Sequence, residues 1–79
     1  MILCKVVGTV ISQEKVAELV GKKLLLCEGL GNKTGQRIVA VDLVGAGVGS
    51  EVLVSHMQCG GQTERIDDWI VSIVDSISE

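Results

Sequence analysis

The stretch Arg37-Ile-Val-Ala-Val-Asp42-Leu-Val-Gly45-Ala-Gly47-Val-Gly49-Ser50-Glu-Val-Leu-Val-Ser55 decides how this chain is read. A β-branched run enters it and a second one, Glu51 to Ser55, leaves it. Between them three glycines alternate with Ala46 and Val48. Glycine tolerates positive φ and lets another backbone come close. Three in alternation between two strands therefore point to a backbone crossing or a tight subunit contact. The competing reading is a phosphate-binding loop. That loop needs a helix N-terminus directly after its glycines, where free N–H groups and the helix dipole meet the anion. Extended-type residues follow here instead, and no Lys follows Gly49 in the order G-x-x-x-x-G-K-[ST]. The nucleotide reading is set aside.

Outside that stretch, the 79 residues form one small domain, residues 1–79, which is marginal alone at this length. Yet 47% of residues are apolar, and the mean hydropathy is +0.47. So small an interior cannot comfortably hide that much apolar surface. A membrane span needs about 18 uninterrupted apolar residues. Lys5, Thr9 and Ser12 break the N-terminal run, and Asp42 breaks the central one. Met1-Ile-Leu-Cys4 has no basic region before it, so no signal peptide is expected. Composition favours a homo-oligomer that buries surface between copies. The net charge of −3, with no basic tail, disfavours nucleic-acid steering.

The chain lacks Pro, Phe and Tyr, and Trp69 is its one aromatic residue. The core must be Val, Ile and Leu, which favours strands. Strands are expected at Ile2–Ile11, either buried on both faces or bent around a barrel at Gly8, and at Leu24–Glu28, Arg37–Leu43 and Glu51–His56. A fifth is expected around Ile70–Val74. Trp69, Ile70, Ile73, Val74 and Ile77 also fall at helical spacing, but their β-branched core is short. Ser12–Val20 is a connection with a helical turn, Gly21-Lys22-Lys23 a charged turn, Gly29–Gln36 a polar loop and Met57–Arg65 a loop with a short helix. Five short strands, glycine-marked bends and one short helix predict an all-β fold, a five-stranded OB-like β-barrel.

Candidate chemistry is sparse. His56 and Cys59 form H-x-x-C, but a zinc site wants about four ligands. Cys4 and Cys27, the other thiols, sit in apolar runs and read as core. With an odd count and no C-x-x-C, a disulfide framework is not expected and a cytoplasmic location is. Cys59, beside two glycines, could be exposed and oxidisable. Asp42, Ser50 and His56 could be drawn as a triad, yet nothing resembles a nucleophile elbow. Asp67 and Asp68 would face opposite ways in an extended segment, so no shared acid–base pair is expected. Lys22, Lys23 and Arg65 read as solvated charges, with Arg65 a rim contact at lower odds. Trp69 reads equally as core or as a surface anchor. No catalytic residue, metal site or cofactor is assigned.

The order of motifs resembles the bacterial microcompartment vertex proteins, the family that includes the carboxysome and ethanolamine-utilisation pentameric shell proteins. The carriers are KVVGTVIS at Lys5–Ser12, then Lys15, Leu19, Gly21 and Leu24-Leu25 in the pattern K…L.G.KLLL. AVDLVGAGVG at Ala40–Gly49, VLVS at Val52–Ser55 and IDDWIVSIVD at Ile66–Asp75 follow. Ser50 departs from the family's usual Glu, Met57–Gly61 lacks its Arg-bearing segment, and Trp69 replaces a small residue. The resemblance implies a homopentamer at the vertices of a polyhedral shell, partnered by hexameric shell proteins of the same cytoplasmic microcompartment. It implies ring-contact roles for Asp42, Gly45, Ala46, Gly47, Val48, Gly49 and Ser50, with Arg65 and Trp69 as neighbour contacts. The alternative from another class is an OB-type nucleic-acid-binding module, which would need aromatic stacking platforms and a positive groove.

Overall fold

The computed structural model describes residues 1–11, 19–56 and 68–78. Five strands form a closed barrel: β1 (Ile2–Val10), β2 (Lys23–Gly29), β3 (Arg37–Asp42), β4 (Glu51–His56) and β5 (Asp68–Ile73). Around the barrel the order is β1-β2-β3-β5-β4. Neighbours are antiparallel except β3 and β5, which run parallel. This is the expected all-β, five-stranded OB-like barrel. Closure leaves no unpaired sheet edge, which a chain so rich in β-branched residues would otherwise expose.

β1 closes the barrel by pairing with both β2 and β4. Cys4 and Val6 are buried while Lys5 and Val7 are exposed. The register with β2 then slips between Val6 and Gly8, a bulge that bends the strand where a bend was expected. β2 begins at Lys23, which pairs with Asp42, so Lys23 belongs to the sheet rather than to the preceding turn.

Two clusters of apolar side chains hold the sheet. One contains Cys4, Val6, Leu25, Cys27, Ala40, Ala46, Val52, Val54 and Ile70. The other contains Leu19, Leu24, Val41 and Trp69, with Val10 and Val71 packed against it. Side chains alternate across a strand. Leu25, Ala40 and Ile70 therefore face one way, and their chain neighbours Leu24, Val41 and Trp69 the other. Both faces of this sheet region are covered, which is why Leu24-Leu25-Leu26 shows no apolar–polar alternation. The helical spacing in the last segment is incidental, since Trp69 and Ile70 pair with Val41 and Asp42 as strand residues.

One short 3-10 turn, Gly31–Lys33, lies inside the expected polar loop. Gly29 makes that turn feasible. A Cβ there would come within 2.4 Å of the Lys33 carbonyl oxygen, a distance no side chain tolerates. The helical turns expected in Ser12–Val20 and Met57–Arg65 fall almost wholly outside the described residues.

Candidate functional site: the loop between β3 and β4

Residues 43–50 join β3 to β4 and are fastened at both ends. At the entry, Asp42 Oδ1 accepts the backbone N–H groups of Val44 (3.2 Å) and Ala46 (3.1 Å). Asp42 Oδ2 lies 3.5 Å from Lys23 Nζ. That ammonium also donates to the Ala46 carbonyl. The Asp42 side chain is only 3% exposed, and a carboxylate so buried must be compensated by donors of this kind. The Leu43 N–H donates to the Ile70 carbonyl at 3.3 Å.

At the exit, Gly47 N–H donates to Ser50 Oγ at 3.2 Å and Ser50 N–H donates to the Gly47 carbonyl at 3.0 Å. Gly49 N–H donates to the Val6 carbonyl (2.8 Å), and Val6 N–H to the Ser50 carbonyl (2.9 Å). The loop is thus bonded to β1, β2 and β5. Gly45 and Gly49 take φ of 84° and 96°, the left-handed region that L side chains avoid. The glycines at 45, 47 and 49 make no close crossing inside the protomer: a Cβ at any of them would meet no atom within 4 Å.

The seven residues singled out in sequence therefore divide. Asp42 and Ala46 turn inward. Ala46 joins the barrel's larger cluster and is 1% exposed, so its methyl contacts the protomer's own core rather than a neighbour. Val48 points outward, 66% exposed, with Leu43 and Val44 also exposed on the same loop. The three glycines leave an open backbone face, and Ser50 locks the final turn.

Other expectations resolve from the same geometry. Lys23 is not a freely solvated charge; its register opposite Asp42 makes it the loop's latch. Trp69 takes the core reading, 5% exposed beside Leu24 and Val41, because its parallel pairing with β3 turns it into that cluster. A surface-anchor role for its ring is corrected accordingly. The triad does not assemble: His56 Nδ1 sits 3.0 Å from Asp68 Oδ1, while Asp42 and Ser50 are committed to loop amides. Cys4 and Cys27 are buried free thiols in the barrel core. Burial, reinforced by Cys4, Asp42 and Asp68, pushes the Cys27 thiol up to about 11; burial and Asp68 also raise Cys4. Protonated thiols are poor ligands and poor nucleophiles. Among the described residues no group of His, Cys, Asp or Glu gathers to hold a metal. Cys59, Arg65 and Asp67 lie outside the described residues.

One arrangement escaped the sequence reading. Strand register sets Glu51, Lys5, Glu28 and Arg37 side by side across β4, β1, β2 and β3. Charges alternate along that row, a cross-strand pattern that favours this register. It is invisible until the pairing is known.

The closed five-stranded barrel with its fastened β3–β4 loop defines the class: a small all-β protein of the OB-like barrel type. The family described as ethanolamine utilisation protein EutN/carboxysome matches residues 1–75, and the chain belongs to it. Among curated relatives, the microcompartment shell vertex protein PduN of Salmonella typhimurium is 41% identical, with 99% of each chain covered. The carboxysome shell vertex protein CcmL of Synechocystis sp. is 39% identical over 99% of this chain and 86% of its own. Among solved structures, the pentameric microcompartment shell protein GrpN of Rhodospirillum rubrum superposes with a TM-score of 0.84 at 43% identity, covering both chains fully. The ethanolamine utilisation protein EutN of Escherichia coli gives a TM-score of 0.85 at 34% identity, over 100% of this chain and 90% of its own. PduN and CcmL are described as shell vertex proteins, and GrpN as a pentameric shell protein.

Proposed function

We propose that this chain is a non-catalytic structural protein of a bacterial microcompartment shell, and that five copies close into a ring that caps a shell vertex. A flat layer of six-fold tiles cannot close on itself. A five-fold tile introduces the missing curvature, and cyclic symmetry completes the ring. The observation that carries the reading is the β3–β4 loop. It is fastened to three strands, yet it turns Leu43, Val44 and Val48 and an open glycine face toward solvent. A rigid apolar surface of this kind is what a subunit contact requires. The description of GrpN as pentameric supports the number five.

In this reading the ring-contact residues are Gly45, Gly47, Val48 and Gly49. Asp42, Ala46 and Ser50 act from behind by fixing the loop, and Arg65 contacts a neighbouring tile. The further partners are hexameric shell proteins of the same microcompartment, in the cytoplasm. The nucleic-acid alternative finds no support among the relatives. It also loses its stacking platform, since Trp69 is buried and the net charge is negative.

Co-expression with a hexameric shell protein tests vertex capping. Electron microscopy should show closed polyhedra with this chain present and open sheets or tubes without it. Closed polyhedra of equal abundance in its absence would refute the capping role.

A further inference from the structure

Trp69 is 5% exposed, and its buried indole N–H finds no acceptor among the described residues. A buried donor left unpaired carries its whole desolvation penalty, and that penalty disappears once water reaches it. The position of the ring decides how water arrives. Register lines up Leu24, Val41 and Trp69 side by side across β2, β3 and β5, on the face turned away from the barrel's larger cluster. Leu19 completes this outer cluster, and it alone of the four buried members stands outside the strands. Leu19 is 4% exposed while Val20 beside it is 70% exposed, so one side chain reaches down onto the row. The Leu19 carbonyl accepts the Lys22 N–H at 3.0 Å, and Gly21 between them takes a φ of 81°. The inner cluster differs in kind: its nine buried residues are held within a closed barrel.

We propose that the turn at Leu19–Lys22 is a lid that opens over Trp69 while the barrel stays closed. Lifting Leu19 breaks no rung of the sheet. It uncovers Leu24, Val41 and Trp69 and lets the indole N–H bond to water. Returning a leucine and its neighbours to water disfavours such an opening. Hydration of the orphaned donor opposes that cost, so the opened state lies closer to the closed one than packing alone would place it. The inner cluster has no such release, because its side chains are reached only by breaking strand pairing. The two clusters therefore open separately, the outer one first. This lid is a property of each protomer and stands whether or not the ring proposed above forms.

Trp69 is the chain's one tryptophan, so hydrogen exchange of its indole N–H, followed by nuclear magnetic resonance, reads the lid in the unaltered protein. Corrected for intrinsic rates, that proton should be about tenfold or more less protected than the Val6 and Leu25 amides of the barrel. A thiol probe gives a second reading. With Cys59→Ser and Val41→Cys combined, a thiol reagent should modify position 41 about tenfold or more faster than Cys4 and Cys27, which serve as core references. Replacing the Trp69 indole by benzothiophene keeps the ring and removes the donor. It should slow modification at position 41 by about fivefold or more and leave Cys4 and Cys27 unchanged. Indole exchange no faster than that of the core amides, equal modification of the three thiols, or a rate at position 41 indifferent to the loss of the donor would each overturn the lid.

Discussion

Asp42 organises its surroundings through both carboxylate oxygens: one receives two loop amides, the other faces Lys23. Asp42→Ala would strand the part-buried Ala46 N–H, while the exposed Val44 N–H would turn to water. Unmade hydrogen bonds of this kind cost about 1–3 kcal/mol. The urea midpoint at fixed protomer concentration should fall accordingly with an unchanged m-value. Lys23→Met should cost less than about 1 kcal/mol, because the lysine is half exposed and its ion pair is screened. Equal losses for the two variants would contradict this division of labour. The cysteines give a pH-dependent check. Cys27 is raised from 9.0 to about 11 in the fold. Its favourable protonated state is therefore fully available below pH 9 and lost as pH rises toward 11. Between those values the unfolded chain releases a proton that the folded chain keeps. Stability should decline by roughly 1.4 kcal/mol per pH unit for that group. Cys27→Ala should flatten that part of the curve; an identical slope would rule out the thiol as its source.

Among the elements, the loops carry the sharper tests. Gly29→Ala forces a Cβ into the Lys33 backbone. It should destabilise by more than about 2 kcal/mol, within the range seen for overpacking. Gly47→Val is the opposite case. Position 47 has ordinary φ and open space around it in the protomer, so the barrel should fold while the ring contact is blocked. Unchanged ring mass by light scattering would remove Gly47 from the interface. How much of this was legible in sequence follows from range. The strands announced themselves through local β-branched runs and the glycines between them. The wider buried faces of β2, the Lys23 latch and the inward Ala46 did not. Lys23 and Asp42 meet only because the antiparallel register of β2 and β3 sets them opposite. Ala46 is buried only because the loop is drawn onto the barrel core. Trp69 could not be assigned from Asp67-Asp68 beside it, since its cluster is assembled from four separate segments.

On the scale of the whole molecule, the chain is more apolar than its closed barrel can hide. Ile11, Val20, Val48 and Ile77 remain outside even though every strand is paired. The proposed ring would cover that surplus and would make stability depend on protomer concentration. Native mass spectrometry of the purified chain is therefore the decisive measurement. A dominant species at five times the 8.3 kDa chain mass is expected. A monodisperse monomer at high concentration, or a closed species with any other number of copies, would contradict a pentagonal vertex protein.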